Sequence, residues 1–337
     1  MKKRGKGVAV CIYSQTITNA PNPCSAYVQV KEDGSAVIQT GACDLGQGST
    51  TVITQMASEA LGIDFGKITV HTADTETTPF DTGSVSSRLT YVAGKAVLAA
   101  IEEVKNVLFT TVARKLGVKP DRLICKDGKI SYMYDPQKYM SFSQAAFEAH
   151  FVDRRLPHGK GEYYPQNIPV DEYGQGEPSD TYYYHGTVAE VEVDTETGEV
   201  DVLKLFALVD CGRAINPMMV EGQVEGGAIQ ALGWALREDT YPYCTGVTGA
   251  SDQFNPDFRP ISFSDYGIAT AMDMPEMFAS NVEIIEPEGP FGAKAAGEIV
   301  ANTGAPAIIN AIYNAVGVRI RDLPATPEKI LRGLKAG

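Results

Sequence analysis

The residue best placed to do chemistry in this chain is Glu298, which closes the run Phe291-Gly-Ala-Lys-Ala-Ala-Gly-Glu298. Glycines and alanines in such a run let the backbone come close to a bulky group. A carboxylate there is expected to meet little water, which makes ionisation costly and raises its pKa. That profile suits a general base working near neutral pH. The same run is also typical of a tight turn, so the motif alone leaves both interpretations open.

A second candidate motif is Asp44-Leu-Gly-Gln-Gly-Ser49, in which Gln47 stands between two glycines before a predicted helix. The free N–H groups of a helix start can bind phosphate or another anion. The motif is not a dinucleotide fingerprint, because Thr51 occupies the position of the third glycine, and it lacks the Gly-Lys-Ser/Thr of a Walker loop. An ordinary strand-to-helix turn remains the alternative.

A hydroxyl-rich loop, Asp81 to Thr90, precedes Gly94 and the start of another predicted helix. Its last seven residues carry four hydroxyls, on Ser84, Ser86, Ser87 and Thr90. Hydroxyls and amides at a helix start can hold a phosphate-bearing cofactor. A capped loop with no ligand explains the pattern equally well.

The segment Glu221-Gly-Gln-Val-Glu-Gly-Gly227, inside a predicted helix, contains three glycines. Each costs roughly 1 kcal/mol relative to alanine in a helix. Close packing against another element or a cofactor would account for that cost, and Gln223 is the polar side chain that would face such a neighbour.

The elements between these motifs repeat one plan. Each half is predicted to contain, in order, a hairpin, a glycine-rich turn, a helix, a strand and a helix. Hydrophobic residues recur with a period of 2 in the predicted strands and of 3.6 in the predicted helices. The predicted strands are 26–31, 35–40, 68–73, 183–193, 200–209 and 280–285, and the predicted helices are 51–61, 94–108, 217–238 and 305–316. We therefore predict an α+β fold of two similar lobes, residues 1–165 and 166–337, divided in the polar stretch 157–180.

Composition narrows the class of protein. The chain has 337 residues, 44% of them hydrophobic, and a formal net charge of −13. This charge argues against a nucleic-acid partner, and no run of 18 apolar residues predicts a membrane span. The six cysteines form no Cys-x-x-Cys pair, so we expect reduced thiols, no metal held directly by side chains, and a cytoplasmic protein.

Four segments, in this order, resemble one family. They are Asp44 to Ser49, Ser84 to Gly94, Cys211 to Gly227 and Phe291 to Glu298. Together they are similar to the C-terminal half of the molybdenum-cofactor subunit of the xanthine dehydrogenase and aldehyde oxidase family. The likeness runs from about residue 20 to 330.

The resemblance implies a role for each matching position. Gln47 would contact the oxo group of the molybdenum centre, and Glu298 would be the general base. The pterin, its phosphate and the expected dinucleotide extension would be held by Gly48, Ser84, Ser86, Ser87, Gly94, Gln223, Lys294, Ala295, Ala296 and Gly297.

The implied reaction is the hydroxylation of an electron-poor carbon next to a ring nitrogen, or of an aldehyde. Glu298 would take a proton from a Mo–OH group, whose water-derived oxygen attacks that carbon while hydride passes to a sulfido or selenido ligand. The metal supplies the acidified oxygen and accepts the electrons.

The chain departs from the family in one respect. The glycine-rich Phe-Gly segment and the Arg-containing segment that precede this region in family members are not present. We therefore expect a split subunit, most similar to the medium molybdopterin subunit of the nicotinate dehydrogenase type. Its partners would be a large molybdopterin subunit, a [2Fe–2S] subunit and an FAD subunit, and its substrate a small N-heterocycle such as nicotinate.

Other interpretations remain open from the sequence. The substrate could be a purine or an aldehyde, as in other members of the family. The chain could instead be a non-catalytic interaction subunit, or an enzyme that binds a nucleotide at the Gly-Gln-Gly turn. Tyr13 is a speculative substrate-pocket residue whose alternative role is packing in the core or at an interface.

Overall fold

The computed structural model describes residues 1–15, 17, 21–166, 168–238 and 262–336. Its strands are β1 Lys2–Ser14, β2 Cys24–Val30, β3 Ala36–Thr40, β4 Ile68–Thr72, β5 Leu123–Lys126, β6 Lys129–Tyr132, β7 Asp135–Ser141, β8 His158–Tyr163, β9 Tyr182–Asp194, β10 Val200–Asp210 and β11 Glu276–Val282. Its α-helices are α1 Ser49–Leu61, α2 Leu89–Leu116, α3 Phe142–Phe147, α4 Pro217–Leu236, α5 Phe263–Tyr266, α6 Ile299–Val316 and α7 Pro327–Ala336. No helix in these ranges has the length and apolar character to cross a membrane.

Two four-stranded sheets share one topology. The first has the order β4-β3-β2-β8 and the second the order β11-β10-β9-β1. In each, an antiparallel hairpin (β2–β3 or β9–β10) pairs in parallel with the strand that follows the next helix. A fourth strand pairs antiparallel with the other side of the hairpin. A small third sheet, β5-β6-β7, follows α2.

The strand that precedes each hairpin along the chain pairs in the sheet of the other hairpin. β1, at the N-terminus, joins the second sheet along its whole length, from Lys2 opposite Asp194 to Ser14 opposite Tyr182. β8, which immediately precedes the second hairpin, instead pairs with β2 of the first sheet. The second sheet is therefore completed by residues 2–14 from the first part of the chain, whereas all four strands of the first sheet lie within residues 24–163.

Both of these edge strands carry Gly-Lys-Gly, and their glycines touch a helix backbone. A Cβ on Gly5 or Gly7 of β1 would overlap carbonyl oxygens of α6, and a Cβ on Gly159 or Gly161 of β8 would overlap carbonyl oxygens of α2. Only hydrogen fits in that space, because helix and strand backbones are already in van der Waals contact. The same three-residue pattern thus seats a long helix on each sheet.

Each sheet buries one face against its helices, which produces two hydrophobic cores. One lies between the first sheet, α1 and α2, and the other between the second sheet, α4 and α6. β9 shows the underlying pattern, since every second residue from Tyr183 to Val193 is buried. This period of two is that of a strand with one face on the core.

The predicted α+β class is confirmed, and most predicted elements are present. The two hairpins fall where alternation and turn residues placed them. α1 ends at Gly62, whose φ of 62° is the left-handed C-terminal conformation, and the Asn216 side chain caps α4 by accepting from the Met219 N–H. α2 begins five residues before the predicted start at residue 94, and α6 begins six residues before its predicted start at residue 305.

The N-terminal strand was not predicted, and it changes the expected division of the chain. Charged and glycine residues disfavour strands in isolation, but in β1 the charges pair across to β9 and the glycines fit α6. The stretch 157–180, predicted as a linker, contains β8. Division at residue 165 is therefore incomplete in space, because residues 2–14 lie in the second sheet.

Replacement of Gly161 by alanine should destabilise the fold. The added methyl would overlap the Ala96 carbonyl oxygen of α2, and overpacking of this kind costs about 1–3 kcal/mol or more. The matched control is Gly186→Ala in β9, where the nearest atom to the new Cβ would be 3.7 Å away. Chemical unfolding should show a lower midpoint for Gly161→Ala only; equal midpoints for the two variants would contradict the close contact.

Candidate functional site

A cavity of about 620 Å³ lies where the two units meet. It takes its walls from the four segments singled out in the sequence. The lining residues are Leu45, Gly46, Gln47, Ser49, Val52, Ser84, Val85, Ser87, Arg88, Leu89, Thr90, Cys211, Arg213, Ala214, Ile215, Asn216, Met219, Val220, Gln223, Gly226, Gly227, Gln230, Lys294, Ala295, Ala296, Gly297 and Glu298. The volume is typical of a pocket for a small molecule or cofactor.

Glu298 stands at the start of α6 and is fixed by Ser87 of the first unit. The Ser87 hydroxyl accepts a hydrogen bond from the Glu298 backbone N–H at 3.0 Å and donates one to Glu298 Oε2 at 3.1 Å. The one hydroxyl thereby holds both the backbone and the carboxylate of Glu298. It also joins the two units at the cavity wall.

Ser87 holds this position in an unusual backbone conformation. Ser86 and Ser87 have φ values of 53° and 51°, in the left-handed region that non-glycine residues seldom adopt. Such residues cost about 1–3 kcal/mol each and are concentrated at functional sites.

The Tyr13 hydroxyl reaches the same carboxylate oxygen. Tyr13, in β1, donates to Glu298 Oε2 at 3.3 Å, and its ring packs on that of Tyr183 with centroids 5.5 Å apart. Burial and, after it, the negative charge of Glu298 raise the pKa of Tyr13, so the phenol remains a donor at neutral pH. Oε2 of Glu298 thus receives two hydroxyl donors.

One expectation about Glu298 is wrong for this chain. Sequence reasoning placed the carboxylate where little water reaches it, but Glu298 is exposed. The small residues before it lie on the cavity side and leave the far side of the carboxylate uncovered. The described residues therefore cover Glu298 on the cavity side only.

The Gly-Gln-Gly turn is organised by Asp44. Its carboxylate accepts from the N–H groups of Gly46 at 2.9 Å, Gly48 at 3.2 Å and Thr50 at 2.9 Å. Partial burial acts to raise the pKa of Asp44, but these three donors outweigh it and hold the pKa below its ordinary value. The predicted anion site at this helix start is thus occupied by the chain's own carboxylate.

The Gln47 side chain lines the cavity and folds over the same turn. Its amide nitrogen donates to the Cys43 carbonyl at 3.2 Å and to the Ser49 hydroxyl at 3.3 Å. Its amide oxygen accepts from the Leu45 N–H. These contacts fix the side chain at the rim of the cavity.

The hydroxyl-rich loop is shaped by Arg88, which is fully buried. The guanidinium contacts both oxygens of the buried Asp81 carboxylate at 2.8 Å and the Gly83 carbonyl at 2.9 Å. Removal of one partner from a buried ion pair leaves an uncompensated charge, which costs about 3–5 kcal/mol. The pair therefore holds in place the loop that presents Ser84 and Ser87.

A second buried ion pair anchors the segment before Glu298. Lys294 Nζ contacts Asp210 Oδ2 at 2.7 Å, both side chains being almost fully buried, and the Lys294 N–H donates to the Cys211 carbonyl at 2.7 Å. The ammonium group is thus engaged at the end of β10. Lys294 also lines the cavity, and the contact with the pterin that the resemblance implies for it stays a prediction.

The glycines of α4 give a test of whether a cofactor fits here. A Cβ on Gly227 would meet Val300 at 2.8 Å, so packing in the chain explains that glycine. A Cβ on Gly226, which lines the cavity, would meet no atom within 4 Å. Its cost in a helix is thus not explained by packing against the described residues. A flat ligand lying against the helix backbone explains it, so the residues fit a pterin.

The structure brings most of the predicted site residues together. Those that line the cavity are Gln47, Ser84, Ser87, Gln223, Lys294, Ala295, Ala296, Gly297 and Glu298. The closest approach is at Gly297, where a Cβ would lie 3.0 Å from Ser87 Oγ and 3.7 Å from Gln223 Oε1. Three elements of the fold therefore converge at this glycine.

Four predicted residues do not line the cavity. Gly48, with a φ of 85°, begins α1 against Met219, and Ser86 contacts Tyr13. Gly94 lies within α2, where a Cβ would meet Met56 and Pro290. Tyr13 reaches the site through Glu298 alone. The contacts seen for Gly94 are packing contacts.

Sequence reasoning overlooked two residues that matter at the site. Asp44 belonged to a quoted motif, and the Asp-x-Gly spacing that favours a side-chain-to-backbone turn could have identified it. Arg213 lines the cavity and is exposed. Among the described residues it makes no ion pair, unlike the lining cations Arg88 and Lys294.

The stabilising effect of Asp44 should depend on pH. Because its folded pKa is lowered, its contribution to stability should be complete above the unfolded pKa of about 3.9 and lost as pH falls through the folded value. The difference in unfolding free energy between the wild type and Asp44→Ala should therefore be constant from pH 7 to pH 5 and shrink below pH 4. Denaturant titrations across this range measure it; a difference that persists undiminished at pH 2 would contradict the assignment.

Comparison with known proteins places this site in a family. The model of the molybdopterin cofactor-binding domain matches residues 1–275. The chain is 30% identical over 334 residues to a putative xanthine dehydrogenase molybdenum-binding subunit of Escherichia coli, covering 97% of this chain and 42% of that protein. It is 32% identical over 312 residues to the gamma subunit of the 6-hydroxypseudooxynicotine dehydrogenase complex of Paenarthrobacter nicotinovorans, covering 90% of this chain and 36% of that one.

A solved structure shows the same fold. Quinoline 2-oxidoreductase from Pseudomonas putida 86 superposes with a TM-score of 0.87 at 26% identity, over 99% of this chain and 42% of that chain. The chain thus spans less than half the length of the relatives that it matches. The family-model match over residues 1–275 and the likeness to the Escherichia coli subunit make it a member of the molybdopterin cofactor-binding domain family of the xanthine dehydrogenase and aldehyde oxidase type.

Proposed function

We propose that this chain is the part of a molybdenum hydroxylase that holds one side of the molybdopterin cofactor and supplies the general base, Glu298. The observation that carries the proposal is the placement of Glu298. It stands on the wall of a cofactor-sized cavity, and two hydroxyl donors hold one of its carboxylate oxygens. The substrate is proposed to be a small N-heteroaromatic ring, hydroxylated at an electron-poor carbon.

The cavity wall divides into groups suited to different parts of the cofactor. The backbone of Ala295 to Gly297 and the open face at Gly226 accept a flat pterin, and Gln223 offers an amide to its edge. Arg213 is the exposed cation available to a phosphate, in the dinucleotide form proposed for the cofactor. Gln47 is proposed to face the metal end. When bound, the cofactor supplies the acidified oxygen and the electron sink.

The geometry of Glu298 suits proton transfer by one oxygen. Ser87 and Tyr13 both donate to Oε2, which fixes the carboxylate plane and leaves Oε1 to accept a proton. Since proton transfer requires a base within hydrogen-bonding distance of the proton, a fixed carboxylate favours it. Tyr13 is thus proposed as a positioning residue for the base, in place of a substrate contact.

The exposed side of Glu298 requires a cover, because catalysis of this kind benefits from exclusion of water. A large molybdopterin subunit would supply it, or the corresponding region of the same protein. The electrons would leave through [2Fe–2S] and FAD subunits. The proposed substrate class is supported by relatives named for xanthine, 6-hydroxypseudooxynicotine and quinoline.

The substitution Glu298→Gln should remove the base and leave the cofactor in place. Turnover of an N-heteroaromatic substrate by the native complex, with nicotinate as the first probe, should fall by about 10²–10⁴-fold, the usual contribution of a general base. Molybdenum content should equal that of the wild type, because the amide keeps the size of the side chain.

The matched control is Glu288→Gln, an exposed acid ten residues earlier that does not line the cavity. This variant should turn over normally. Normal turnover in Glu298→Gln would contradict the proposed role of Glu298 as the base. Loss of molybdenum from that variant would instead show that the carboxylate is needed to hold the cofactor.

The substitution Tyr13→Phe tests whether Tyr13 positions the base. Loss of one donor to a charged acceptor should lower kcat by roughly ten-fold, equivalent to about 1.4 kcal/mol, with KM and molybdenum content unchanged. Tyr27→Phe, on an exposed part of β2, is the control and should be neutral. A rise in KM at constant kcat would show that Tyr13 contacts the substrate, and no change in either constant would remove it from the site.

A further inference from the structure

Among the residues that the structure describes, no helix covers the outer face of the second sheet. In β1 the odd-numbered Gly5 and Gly7 lie against α6, so the even-numbered residues point to the opposite side. The strand registers place Val8 opposite Val188, and Val188 opposite Phe206, which is in turn opposite Phe278. One continuous surface therefore crosses all four strands.

This surface is divided into a charged end and an apolar end. At the charged end, cross-strand ion pairs join Lys2 to Glu192 at 2.9 Å and Lys204 to Glu276 at 2.7 Å. Charges that neutralise each other across strands are typical of a face in water.

The apolar end is formed by aliphatic and aromatic side chains. We name it the apolar patch; it consists of Val8, Val10, Ile12, Tyr184, Val188, Phe206, Leu208, Phe278 and Val282. Val10 is 81% exposed and Ile12 is 63% exposed, and the rings of Phe206 and Phe278 stack at 4.5 Å with their outer edges free. Single exposed apolar residues are ordinary, but a contiguous patch marks a protein contact.

The position of the apolar patch points to what covers it. Beyond Ile12, the strand β1 leads to Tyr13, and beyond Leu208, the strand β10 leads to Cys211 and Arg213 of the cavity wall. The patch therefore lies at the end of the sheet that adjoins the cavity. A protein surface seated there could continue over the uncovered side of Glu298.

We propose that the apolar patch is the docking surface for the remainder of the molybdenum-binding subunit, that is, the region that the longer relatives possess outside the matched part. This rests on the proposed function for the identity of the partner. The matched region makes up 42% of the Escherichia coli relative, so that protein has a further, larger portion to supply the contact.

The other occupants fit the charges less well. A second copy of this chain would bring two bodies of net charge −13 together, and an anionic lipid surface would be repelled likewise. The docked surface should be apolar and aromatic at its centre, to match the patch, with a polar rim opposite the ion-paired end.

A photo-crosslinker identifies the occupant directly. The variant Ile12→p-benzoylphenylalanine is irradiated in the intact native enzyme, and the crosslinked peptide is identified by mass spectrometry. The control variant carries the same residue at Tyr27, an exposed position on the first sheet. Hydroxyl-radical labelling of the same enzyme measures whether the side chains of Val10, Leu208 and Phe278 are protected.

The expected result is a crosslink from position 12 to the remainder of the molybdenum-binding subunit. Position 27 should give no crosslink to that region. The apolar patch should be labelled several-fold less in the intact enzyme than in the 337-residue chain alone. A crosslink to a second copy of this chain, to the [2Fe–2S] subunit or to the FAD subunit would overturn the proposal, as would patch labelling equal in the two samples. Molybdenum content is measured on the same preparation. Its absence would count against the proposed function, whereas an absent crosslink in a molybdenum-containing enzyme counts against the docking surface alone.

Discussion

The packing of the edge strands β1 and β8 against long helices is the constraint on which the rest of the structure depends. β1 and β8 each place a Gly-Lys-Gly segment in backbone contact with a long helix of the unit they join. Backbone contact at this distance tolerates no side chain and little sliding, because interiors are close-packed. Because β1 joins the N-terminal part of the chain to the second sheet, it constrains how the two units meet beside the cavity. It also brings Tyr13, near the end of β1, to Glu298 at the start of α6.

The cavity wall combines two segments held by buried ion pairs with a helix face that leaves open space. Two buried ion pairs, Arg88 with Asp81 and Lys294 with Asp210, hold the two segments that meet at Glu298. Buried pairs of this kind contribute little net stability compared with apolar packing. Here each fixes a loop that presents polar groups to the cavity. Between the loops, α4 offers glycine backbone and leaves space for a ligand that is not part of this chain.

Several parts of the site could be predicted because their signals are local. The hairpins followed from alternation and turn residues, and α1 and α4 from periodicity and their capping residues. Glu298, Gln47 and Gln223 were recognised from four segments in the correct order, and all three line the cavity. β1 was missed because its glycines and charges disfavour a strand until β9 and α6 are present to pair with them. Gly94 was assigned to the cofactor from its motif, but contact with Met56 and Pro290 depends on how α1 and α2 cross.

The sequence by itself determined the fold class, the two hairpins, the main helices and the four segments that contribute to the cavity wall, since these depend on periodicity and on motifs along the chain. Only the tertiary structure decided which oxygen of Glu298 is held, and by Ser87 and Tyr13, because those contacts join residues more than 200 positions apart. It likewise decided that Asp44 occupies the anion position at α1, that Lys294 is engaged by Asp210, and that Glu298 is exposed. Burial and long-range pairing arise from the packing of whole elements, and a local pattern carries no information on which distant group will fill the space beside it.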